Sequence, residues 1–71
     1  MEIKVGLVME FVEPAEVDGR QIARGTRVRI AHIMHELKEE RITLVLLGTS
    51  EPETLTVDRH VVGVHCRLVS E

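Results

Sequence analysis

Residues 25–48, GTRVRIAHIMHELKEERITLVLLG, decide how the rest of the chain is read. The segment holds the longest aliphatic run, Ile42 to Leu47, and overlaps the densest basic cluster, in which Arg20 and Arg24 precede it and Arg27 and Arg29 lie within it. As a strand, Val28 and Ile30 share one face while Arg27 and Arg29 point to the other, the alternation of a half-buried strand, and Gly25-Thr26 supplies the turn that starts it. As a helix, Ile30, Ile33, Met34 and Leu37 fall on one stripe. The strand reading accounts better for 26–30 and the helical one better for 31–40. We expect a strand pair joined through Leu37–Arg41, with a short helical turn within 31–40 or a bulge near Ala31–His35, where the parity breaks.

The aliphatic run sets a second expectation. A strand with one wet face alternates, yet here Leu44 and Leu46 are apolar and so are Val45 and Leu47, so both faces call for cover. With 71 residues there is room for one domain, residues 1–71, and for a core worth only about 3–5 kcal/mol net. Cover for the second face is therefore expected from another molecule. Leu44, Val45, Leu46 and Leu47 become candidate interface residues.

Working outward, Ile3, Val5, Leu7, Met9 and Phe11 alternate with their neighbours and predict an opening strand with odd positions inward. Glu13-Pro14 ends it. Val17-Asp18-Gly19-Arg20-Gln21-Ile22 predicts a small hairpin, because Asp-Gly suits a type I′ turn. Downstream, Gly48–Glu53 is loop and Thr54–Val57 a short strand with Leu55 and Val57 inward. Asp58-Arg59-His60 should be a tight connection, leading to a last strand from Val61 to Val69 with Val62, Val64, Cys66 and Leu68 inward. The pattern predicts an all-β fold, a small five-stranded barrel of SH3-like, Sm-like or OB-like kind. The stretch VDGRQIARGTRVRI followed by ITLVL is loosely similar to the terminal OB domains of NfeD-like membrane-associated proteins, which also place a short hairpin before a Gly-Thr-x-Val strand. That resemblance covers about a third of the chain and implies no functional residue.

Composition limits function. There is one Phe and no Trp or Tyr, so the core must be aliphatic and no aromatic platform exists for stacked bases. The net charge is −3 but unevenly spread: Glu2, Glu10, Glu13, Glu16 and Asp18 outweigh Lys4 in residues 1–18, whereas 19–35 carries arginines and no acid. The single cysteine, Cys66, rules out an internal disulfide and is expected as an inert core thiol in a reducing compartment. No segment approaches the roughly 20 apolar residues that span a bilayer, and the N-terminus lacks a signal-peptide layout, so a cytoplasmic location is expected.

His32, His35, His60 and His65 are the residue types that hold transition metals, but their spacing matches no known finger. A helix over 31–40 would make His32 and His35 a two-ligand pair, with His60 or His65 completing it. No glycine-rich phosphate loop or nucleophile motif is present, and neither enzyme activity, a small-molecule substrate nor a cofactor is expected. Three readings result. The leading one is a non-catalytic barrel subunit or assembly factor that acts through protein contacts and self-associates. The second is a nucleic-acid-binding barrel gripping phosphates with Arg20, Arg24, Arg27 and Arg29. The third is a metal-binding accessory protein using the histidines.

Overall fold

A computed structural model describes residues 2–70. The elements run β1 (Val8–Phe11), β2 (Ala15–Val17), β3 (Arg20–Ile22), β4 (Arg27–His35), β5 (Glu40–Leu46), β6 (Thr54–Asp58), α1 (Arg59–His65) and β7 (Cys66–Ser70). Five strands form one antiparallel sheet in the order β6-β5-β4-β1-β7, and β2 and β3 form a separate two-stranded hairpin. The chain is therefore mostly β, as its alternation predicts. The large sheet is not closed, with β6 and β7 as its edges, so the expected barrel closure is not seen.

The long β4–β5 ladder is the spine. Val28 pairs with Leu46 and Ile30 with Leu44; the register then slips between Ile30 and His32, and pairing resumes through His35 opposite Glu40. That slip is the bulge expected near Ala31, where one extra residue restores the ladder after the apolar parity breaks. The helical alternative for 31–40 is overturned, because β4 stays extended to His35 and the connection is a short turn. Glu36 closes it by donating its N–H to the Glu39 carbonyl at 2.9 Å.

The opening strand is shorter than its alternation suggests. A turn at Val5–Gly6 interrupts it, with Gly6 at a φ of +99° that only glycine adopts easily. The Gly6 N–H donates to the Ile30 carbonyl at 2.8 Å, and Ile30 returns a bond to Leu7 at 2.9 Å, so pairing with β4 survives the turn. Its cost to the expected pattern is Val5, which is exposed instead of inward, while Ile3 still packs against the core. The Asp18-Gly19 hairpin forms as predicted, with both residues at positive φ.

The region after β6 departs most from expectation. Residues 59–65 are helical where a tight connection and the start of the last strand were predicted, and β7 begins only at Cys66. Val62 and Cys66 are buried as expected, but Val64 and Leu68 are exposed. A spacing of four residues from Val62 to Cys66 suits a helix as well as a strand. Val61, Val62 and Val64 are β-branched, so propensity pointed to a strand, and packing against the core overrode it.

Leu7, Met9, Phe11, Val28, Ile30, Ile42, Leu44 and Val62 have essentially no exposed surface, and Val17 and Ile22 of the β2–β3 hairpin lie over the same core. No polar or charged residue among those described is buried. Each such aliphatic side chain contributes about 1.5–3 kcal/mol of transfer free energy, nearly all of which the ordering of the chain offsets.

Candidate functional site

The outer face of the sheet carries one continuous row of charge. Glu10 of β1 lies opposite Arg27 of β4 on one side and Arg67 of β7 on the other. Its Oε1 accepts from Arg27 Nε at 3.2 Å, and its Oε2 accepts from Arg67 Nη2 at 3.1 Å. Two guanidiniums therefore share one carboxylate, and the row keeps a net positive charge. Arg27, then Arg67, hold the Glu10 carboxyl below its ordinary value of 4.5. The next row reads Val8, Arg29, Val45, Thr54 across four strands. Arg29 stands there between two half-buried valines, where its aliphatic stem can shield both.

The candidate interface residues divide between two faces. Leu44 and Leu46 point into the core, at 0% and 8% exposure, and are unavailable to a partner in the folded chain. Val45 and Leu47 lie on the other parity and are half-buried. Leu47 is held next to Arg27, whose carbonyl accepts its N–H at 2.9 Å. Beside them runs a cleft of about 510 Å³ between β3 with its following turn and the start of the 48–53 loop. Its lining includes Ile22, Leu46, Leu47, Arg20 and Arg27. At its edge Arg20 Nη2 donates to Glu53 Oε2 at 2.8 Å.

The four arginines are thus unequal. Arg20 and Arg27 have carboxylate partners, whereas Arg24, in the turn before Thr26, and Arg29 have none among the described residues. Arg67 joins the same face and was missed as a site residue; its outward parity in the last strand was the available signal. Glu53 was missed too, since only the fold brings the 48–53 loop against β3.

The histidines are not gathered. In an extended β4, His32 and His35 point to opposite faces. His35 Nδ1 lies 2.8 Å from Glu40 Oε2, and His65 Nδ1 lies 3.5 Å from Glu13 Oε2 without a hydrogen bond. His60 lies on α1, in a hollow lined by Glu36, Lys38, Glu39, Glu40, Asp58 and Arg59. Among the described residues no group of three or more His, Cys, Asp or Glu side chains could hold a metal ion. Cys66 is buried, and burial pushes its thiol up to about 11, so it is a poor nucleophile at neutral pH. No helix of the described residues is long and apolar enough to cross a membrane.

What the site offers is a mixed cleft, with Leu47 half-buried beside Arg20, Arg27 and Glu53, next to a sheet row of net positive charge. Compared with protein-family models, curated proteins and solved structures, the chain has no match.

Proposed function

We propose that this chain is a non-catalytic, self-associating β-domain that works through protein contacts, built on an SH3-like small-barrel plan, with the cleft between β3 and the end of β5 as a contact site. The plan is supported by the last strand lying beside the first, a hairpin excursion between β1 and β4, a β4-β5-β6 meander and a short helix before β7. The observation that carries the function is convergence. Arginines and an aliphatic residue singled out for separate reasons meet in one cleft, Arg20 and Arg27 lying beside half-buried Leu47, with Leu46 behind it in the core. That combination fits a partner presenting aliphatic and acidic side chains. A lone buried thiol suits the reducing cytoplasm.

Protein is favoured over nucleic acid because the chain is acidic overall and Trp and Tyr are absent. Light scattering of the purified chain should return a mass above 8.0 kDa. A peptide library panned on the immobilised chain should enrich acidic-aliphatic sequences that Leu47→Glu no longer retains. A monomer that enriches no such peptide removes the proposal. Binding to mixed RNA or DNA at low salt that disappears in Arg27→Glu/Arg29→Glu would favour the nucleic-acid reading instead.

A further inference from the structure

We infer that the tip of the β4–β5 hairpin in one copy docks into the cleft of a second copy, head to tail. The inference rests on the protein-contact reading above and names the partner as another copy of this chain. The tip presents Leu37 at 104% exposure, the most exposed large apolar residue described, with Met34 at 50% on the arm behind it. Glu36 precedes Leu37 and Lys38-Glu39 follow it, so the tip is acidic by one charge, and neither carboxylate has an ion-pair partner among the described residues. An exposed leucine in a net-acidic turn complements a cleft where half-buried Leu47 lies beside Arg20 and Arg27, whose two guanidiniums outweigh the Glu53 carboxylate in the lining, with unpaired Arg24 in the adjoining turn. At about 510 Å³ the cleft has room for a leucine side chain and the backbone that carries it.

The tip is also held in place. Glu40 at its base takes contacts from His35 and from Arg59 of α1, and Arg41 Nη1 donates to Asp58 Oδ1 at 3.1 Å. A projection braced in this way loses little freedom on docking.

Topology supplies the reason for a second molecule. Tip and cleft lie at opposite ends of one ladder, with Val28 opposite Leu46 at one end and His35 opposite Glu40 at the other. At about 3.3 Å per residue they are separated by roughly 20–25 Å, so no chain can fill its own cleft with its own tip. The contact uses two different patches, which builds a closed ring or an open filament and not a two-fold dimer.

The test pairs complementary variants. Leu37→Ser removes the knob and leaves the cleft intact, whereas Leu47→Glu spoils the cleft and leaves the knob. By light scattering the parent should show a multiple of 8.0 kDa and each variant alone a single chain. An equimolar mixture should recover a species of twice the single-chain mass, because one sound tip meets one sound cleft. If circular dichroism finds Leu47→Glu unfolded, Arg24→Glu, which alters an exposed and unpaired side chain, takes its place. A monomeric parent overturns the inference and leaves the peptide-partner form of the function standing. Variants that keep the parent's mass overturn it while leaving self-association by another surface. A mixture that stays monomeric overturns it as well.

Discussion

The two halves of β4 behave as different structures. From Arg27 to Ile30 the strand alternates strictly, with Val28 and Ile30 fully buried and Arg27 and Arg29 exposed. Beyond the slip at Ala31 no residue is fully buried, and Ile33 alone is partly covered. The first half is clamped between β1 and β5, whereas in the second β5 is the only paired neighbour among the described residues. One strand thus serves as core at one end and as a projecting arm at the other, and the bulge marks the change.

The largest effect should separate those halves. Ile30→Ala removes a fully buried side chain and should cost about 2–5 kcal/mol, comparable to the whole net stability of about 3–5 kcal/mol that a core this small supplies. Much of that variant should be unfolded. Ile33→Ala, at a half-buried site, should cost about 1 kcal/mol. Urea titrations monitored by circular dichroism compare the two, and equal losses would erase the distinction between anchor and arm.

A smaller effect concerns the excursion that covers the anchored half with Val17 and Ile22. Gly19 has a φ of +79° and open space where a Cβ would stand, so Gly19→Ala meets backbone strain alone. The expected cost is about 1–2 kcal/mol, read from the shift in the urea midpoint. At the arm, Leu37→Ser should change the stability of the isolated chain by less than about 0.5 kcal/mol. A larger loss would mean that Leu37 packs on its own molecule and is not presented outward.

Two titrations sharpen the contrast further. Glu10 is held below 4.5 by Arg27 and then Arg67, so its contribution to stability is present above the ordinary carboxylate value and fades as pH falls through its lowered one. The Glu10 titration midpoint, followed by its carboxyl chemical shift, should rise toward the ordinary carboxylate value in Arg27→Gln, and by less in Arg67→Gln. The Cys66 thiol runs the other way. With its value raised from 9.0 to about 11, its contribution is complete below about 9 and is lost as pH rises toward 11. A thiol reagent near neutral pH should therefore label the native chain far more slowly than the urea-unfolded one.

Much of the fold was legible because strand parity is a local property. Val28, Ile30, Leu55 and Val57 went inward where alternation put them, and Asp18-Gly19 made its turn. The helix at 59–65 was not legible, since Val61, Val62 and Val64 have β propensity and only the three-dimensional surroundings favour helical geometry there. Gly6 also hid its turn inside a regular alternation, and Val5 left the core as a result. For the site, the arginine cluster and the aliphatic run were visible separately. Their meeting in one cleft was not, because it depends on β3 folding back across the end of β5. The exposed tip was obscured by the helical stripe that Ile30, Ile33, Met34 and Leu37 imitate.

Concentration-dependent amide exchange across the β4–β5 ladder tests the central claim most directly. Raising the concentration of the parent chain should slow exchange at residues 37–39 and at 48–49 together, while the middle of the ladder, already protected by pairing, stays unchanged. Exchange at both ends that is identical at low and high concentration would contradict the account.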